Sequence, residues 1–151
     1  MSKGYLVENA EAGSLNLKST KGASGPVLDF KDLAAWKLAR DLRKQIYEIS
    51  RNFPSEEKYV LLPQLRRAAI SVTANVAEGF GRYSYQENTQ FCRHARGSAF
   101  EVRDHLTTAL DAGYLSQKEW VAADALAQRV IQVLNGYIRS TQKLQRETKT
   151  K

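Results

Sequence analysis

Apolar residues return every three or four positions along four successive blocks of the chain, and this spacing constrains the fold more than any other feature. In the first block Leu38, Leu42, Ile46, Ile49 and Phe53 fall on one side of a helix, with Asp32 placed to cap it and Pro54 to close it. "SEEKY" then forms a short turn with Ser55 as its cap. The second stripe is Leu62, Leu65, Ala69, Val72, Val76 and Phe80, with Pro63 in the first turn, where a missing N–H is tolerated. The third begins near Ser84 or Tyr85 and runs through Phe91, Ala95, Ser98, Val102, Leu106 and Ala109 to a stop at Gly113. Ser116 and Glu119 make a capping box for the fourth, whose stripe is Trp120, Ala123, Ala127, Val130, Leu134 and Tyr137. Long helices joined by short connections predict an all-α, antiparallel up-down-up-down four-helix bundle. No segment sustains the two-residue alternation of a strand.

The bundle is expected over residues 29–144. Residues 1–28, rich in Gly, Ser, Thr and Lys without a helical period, read as a flexible N-terminal arm. Residues 145–151 read as a basic C-terminal tail. With 42% hydrophobic residues in 151, one domain can build a real core. No apolar run is long enough to span a bilayer, and the opening "MSKGYLVENA" lacks the apolar stretch of a secretory signal. The only cysteine, Cys92, excludes an internal disulfide and fits a reducing, cytoplasmic location. The net charge of +7 favours anionic partners, nucleic acid above all.

"GFGRYS", residues 79–84, looks at first like a phosphate-cradling loop. A dinucleotide fingerprint needs a strand before its glycines, whereas a helix precedes these, and no Walker Gly-Lys-Ser/Thr is present. Gly79 and Gly81 are therefore read as ending the second helix and turning the chain into the third. Around this joint Arg67, Ser71, Asn75, Glu78 and Arg82 share a stripe opposite the apolar one. With Arg96, Ser98 and Glu101 of the third block, Arg67, Asn75 and Glu78 are expected to form a polar network where helices two and three, or two subunits, meet. The alternative is a solvated polar face.

Three ordered segments, "FKDLAAWKLARDL", "QLRRAAISVTANVAEGFGR" and "ARGSAFEVRDHL", resemble the small four-helix-bundle proteins encoded in intervening sequences of bacterial 23S ribosomal RNA genes. That family, labelled S23 ribosomal protein, includes the accessory variability determinants of diversity-generating retroelements. The resemblance spans about Phe30 to Lys143. The family's signatures fall on Leu33 and Trp36, on Asn75, Glu78 and Gly79, and on Arg96, Gly97, Ser98 and Glu101. Departures are Thr73, Pro63, the "CRH" at Cys92–His94 and the N-terminal arm. The resemblance implies a ring-shaped homopentamer with a basic surface or channel. For the retroelement branch it also implies docking to a reverse transcriptase and its template RNA.

Three functional readings follow. The first is a non-enzymatic scaffold that binds nucleic acid, RNA ahead of DNA, through phosphates. Lys37, Arg40, Lys44 and Arg51 share one face of the first helix, and Arg66, Arg82 and Arg93 would extend that basic surface around the joint. Tyr83 and Tyr85 could stack on unpaired bases, although packing at a helix start explains them as well. The second is a docking module for a reverse transcriptase, with Trp36, Tyr47 and Phe100 as anchors unless the helices simply bury wider faces. The third is an enzyme. His94, Glu101 and His105 share a face, but a catalytic metal needs three converging ligands and a second shell, and no Glu-x-x-His pair is repeated. Cys92 has no paired base, and "ARGSA" is not a nucleophile elbow. No catalytic residue, metal or cofactor is expected.

Overall fold

The computed structural model describes residues 27–82 and 84–150. The arm up to Pro26, Tyr83 and Lys151 lie outside the described residues. Val27, the first described residue, already packs against the core. Asp29 caps a 3-10 turn at Phe30–Asp32, and Asp32 completes the box by accepting the N–H groups of Leu28 and Asp29 at 3.0 and 2.9 Å. Those two donors hold the Asp32 carboxyl below its ordinary pKa. Asp32 thus caps this turn rather than the helix behind it, and α1, Ala34–Ile49, starts without a side-chain cap.

A 3-10 turn at Ser50–Asn52 follows α1, and a further 3-10 segment, Ser55–Tyr59, leads into α2, Leu61–Gly81. Ser55 lies inside that turn. The Glu57 carboxylate instead accepts the Leu61 N–H at 3.0 Å and the Tyr114 hydroxyl at 2.9 Å, so it fastens the start of α2 to the far end of the next hairpin. The bond to Glu57 pushes the Tyr114 phenol upward. Ser84 caps α3, Tyr85–Asp111, by accepting the Glu87 N–H. Gly113, at φ 79°, ends it: Tyr114 N–H reaches back to Ala109 O and Gly113 N–H to Leu110 O. The Ser116–Glu119 box opens α4, Gln117–Lys149. Residues 145–149, expected as a tail, are the last turn of that helix.

Among the described residues there are four α-helices and no strand. Cross-helix bonds fix their directions. Arg43 donates to Thr73 and Arg66 to Ser50, so numbers fall on α2 as they rise on α1. Arg96 donates to Asn135 and Arg103 to Asp124, which sets α3 against α4 in the same way. Contacts run α1 to α2, α2 to α3, α3 to α4 and α4 back to α1, closing a four-cornered bundle. Among the described residues no helix is long and apolar enough to cross a membrane.

The core is built from Leu42, Ile46, Leu65, Leu106 and Leu134, with valines 72, 76, 102 and 130 between them. It is wider than the aliphatic stripes suggested. Ala35, Ala39, Ala68 and Ala99 are buried, whereas Leu38, Ile49, Leu62, Phe91 and Ser98 are half-buried at its margin. Trp36, expected as an anchor, packs on that margin with its ring edge-on to Phe30 at 5.2 Å.

Gly79 does not end α2. It lies buried inside the helix, where a Cβ would stand 2.9 Å from Phe91 Cβ and 3.2 Å from Asn88 O. The missing side chain lets α3 come close. Gly81 is the last helical residue, and a Cβ there meets nothing within 4 Å among the described residues. Gly79→Ala is expected to destabilise the bundle by about 1–3 kcal/mol. Gly81→Ala should leave the melting temperature unchanged or higher, since helix propensity favours it. Parallel thermal melts of the two variants check this.

Candidate nucleic-acid interface

The outer face of α1 presents Lys37, Arg40 and Lys44 at helical spacing, all exposed. Arg51, in the 3-10 turn after α1, is exposed and paired with Glu48 at 3.2 Å. Arg40 lies over the rim of Trp36 with its guanidinium 6.0 Å from the ring centre. The expected extension through Arg66, Arg82 and Arg93 does not form one surface. Arg66 and Arg82 stand at opposite ends of α2, about 24 Å apart along its axis. Arg66 is half-buried, donates to Ser50 Oγ at 2.9 Å and lies 4.7 Å over the Tyr47 ring. It ties the end of α1 to the start of α2 and takes Tyr47, another expected anchor, as its platform. Arg82 bonds Glu78 at 2.6 Å, lies 3.8 Å from Glu87 and sits 4.8 Å over Phe91. It closes the joint between α2 and α3. Arg93 is exposed, facing the end of α4.

That end carries a basic cluster that begins inside the expected bundle and runs on through residues 145–149, expected as tail. Arg139, Lys143, Arg146 and Lys149 recur at four, three and three residues and are all exposed. The signal was legible as a helical period continuing past Leu144. Arg146 and Lys149 also sit where the helix macrodipole favours cations.

The expected polar network is several separate bonds. Ser71 Oγ and Ser98 Oγ lie 2.8 Å apart across α2 and α3, and Asn75 donates to Ser71 O and Oγ at 2.9 and 3.0 Å. Glu78 serves Arg82 on the surface, and Glu101 lies 3.3 Å from His105. Arg96 turns away to Asn135 of α4 at 2.8 Å, and Arg67 is exposed. The strongest buried polar contact was not foreseen. Asp124, 5% exposed, accepts Arg103 through both oxygens at 2.7 and 3.3 Å and Gln128 at 2.7 Å. An acidic residue beside Ala123 and Ala127 on the core stripe was the available clue.

His94 does not converge with Glu101 and His105: its Nε2 lies 3.2 Å from Gln90 Nε2, and its ring meets Phe91 edge-on at 5.9 Å. Among the described residues no three His, Cys, Asp or Glu side chains gather as a metal site. Cys92 is buried, and burial pushes its thiol up to about 12, far from a reactive thiolate. Tyr85 packs against the core, and burial raises its phenol too. Phe100 remains 51% exposed, with Arg103 5.8 Å over its ring.

An antiparallel bundle with outward lysines and inward-braced arginines defines a class of small, basic, all-helical bundle proteins. Residues 31–136 match the family model of the 23S rRNA-intervening sequence protein, and the chain belongs to that family. Among solved structures it is similar to a protein with unknown function from the S23 ribosomal protein family of Bacteroides thetaiotaomicron VPI-5482. The TM-score is 0.65 at 17% identity, over 70% of this chain and 98% of that one, a likeness of fold alone. A search of the curated proteins finds no match.

The two kinds of acidic partner should separate in denaturation experiments. Asp124→Ala strands a partly buried guanidinium and is expected to cost about 3 kcal/mol. Glu78→Ala removes an exposed pair and should cost under about 1 kcal/mol. Urea unfolding of both variants measures the difference.

Proposed function

We propose that the chain is a non-catalytic scaffold that binds RNA through phosphate contacts and works as a ring of identical copies. The observation that carries the binding half is the α1 face. Lys37, Arg40 and Lys44 have no ion-pair partner among the described residues and project from one rigid helix. Such an array attracts a phosphate chain and releases its counterions without reading bases. RNA is preferred to DNA because the family is named for intervening sequences of 23S rRNA.

The assembly half is supported by glycine in an unusual place. Gly97 sits in the middle of α3, exposed, and a Cβ there would meet nothing within 4 Å among the described residues. Glycine in a helix interior costs about 1 kcal/mol against alanine, and no close neighbour among the described residues calls for it. Exposed Ile70 and Ala74 of α2 and Phe100 of α3 belong to the outer surface of the same hairpin. A second copy packed closely there would make use of both the missing side chain and the exposed apolar groups. The copy number of five is what the family resemblance implies. In a ring each basic face is repeated, and modest contacts add by avidity.

Anisotropy of a labelled structured RNA over a salt series tests the first half. Binding should weaken steeply with salt, and replacing Lys37, Arg40 and Lys44 together by Ala should lower the slope by about 3. No binding at low salt would sink the scaffold reading and turn attention to a protein partner. For the second half, light scattering should give the wild-type mass as a multiple of the 17.0 kDa protomer. Gly97→Leu should reduce that mass with helicity preserved; a wild-type monomer would defeat the proposal.

A further inference from the structure

Where the first turns of α3 lie beside the last turns of α4, a groove of about 340 Å³ opens between them. Its walls are Gln86, Gln90 and Arg93 from α3, and Gln142, Gln145 and Lys149 from α4. Among the described residues no carboxylate lines it. Arg93 and Lys149 have no ion pair among the described residues. Gln90 is steadied by His94 at 3.2 Å.

Thr89 also lines the groove. It is 4% exposed, and its hydroxyl has no hydrogen-bond partner among the described residues. Other helical threonines of this chain spend that hydroxyl on the preceding turn: Thr107 on Arg103 O, Thr108 on Asp104 O and Thr141 on Tyr137 O. Thr89 makes no such bond.

The chemistry of these walls is specific. A phosphate alone uses only donors, so four carboxamides turned NH2-first toward it would leave their acceptor oxygens without a role. A nucleobase edge carries donors and acceptors side by side, and glutamine can pair with such an edge through both its atoms. The volume suits a small ligand rather than a duplex. In RNA, base edges become accessible where the strand is unpaired, because the major groove of the A-form helix is too deep and narrow.

We infer that this groove holds one unpaired nucleotide of an RNA strand, its base edge on the glutamine carboxamides and the Thr89 hydroxyl, its flanking phosphates on Arg93 and Lys149. This rests on the RNA-binding reading above and adds to it a means of telling loops from duplexes.

The test is anisotropy of the full chain with two labelled probes, a short RNA hairpin with an unpaired loop and a blunt RNA duplex. The wild type should prefer the hairpin by about tenfold. Gln90→Ala combined with Gln142→Ala should cut the preference to about twofold while leaving the salt slope unchanged. Thr89→Val, which removes an unpartnered hydroxyl and keeps the shape, should lower the preference without lowering the melting temperature. Arg93→Ala with Lys149→Ala should weaken both probes and lower the salt slope by about 2. If the wild type binds both probes equally, or the glutamine and threonine variants keep the hairpin preference, the groove is not the reader and the scaffold reading stands. If neither probe binds at low salt, both fall together.

Discussion

The close approach of α2 to α3 is the constraint on which the bundle depends. Gly79 gives up its side chain where Phe91 and the Asn88 carbonyl come near. Along the same pair Ser71 and Ser98 meet through their hydroxyls at 2.8 Å, a distance open only to short side chains on nearby helices. Ala68, Ala69, Ala95 and Ala99 keep the buried side of these helices equally small. Small residues buy little hydrophobic transfer energy one by one. They allow backbones to come within dense van der Waals contact, where many weak attractions add. The larger Leu and Val residues then need fill only the centre of the bundle.

Once that hairpin is set, polar bonds fasten the outer helices to it. Arg43 and Arg66 hold α1 to α2, Arg96 and Arg103 hold α3 to α4, and Arg82 bridges the joint. Most of the arginines expected to meet nucleic acid around the joint are therefore braces. Guanidinium suits the role, since its planar fork can satisfy two partners while its stem covers apolar surface. Among the described residues, exposed cations without an ion pair include Lys37, Arg40 and Lys44 of α1 and Arg139, Arg146 and Lys149 near the end of α4, and the two proposed RNA-contacting regions follow from these groups.

Helix content, the Ser116–Glu119 box, the Ser84 cap and the Gly113 stop were legible in the sequence because each is a local property of a few neighbouring residues. The core margin was less so. Ala35 and Ala39 carry little hydropathy of their own, and only the position of a neighbouring helix makes them core. Gly79 misled for a related reason: beside Gly81 it resembles a helix stop, while its real role is set by Phe91 and Asn88 on another helix. Arg66 and Arg82 were read by charge, yet what decides their use is Ser50, Tyr47, Glu78 and Phe91 within bonding reach. Asp124 is not legible in the sequence because an acidic residue on an apolar stripe makes sense only opposite Arg103, whose place requires the fold.

Three of the braces have neutral partners. Arg43 bonds Thr73, Arg66 bonds Ser50 and Arg96 bonds Asn135, so each is immobilised while its charge stays uncancelled. All three are half-buried, where water screens them less than a surface lysine. A mobile cation must surrender side-chain freedom before it can attract anything in a defined direction, whereas these have already done so during folding. Part of the positive potential is thus as fixed as the backbone. An approaching polyanion would be oriented by it from a distance, before the flexible lysines close on individual phosphates.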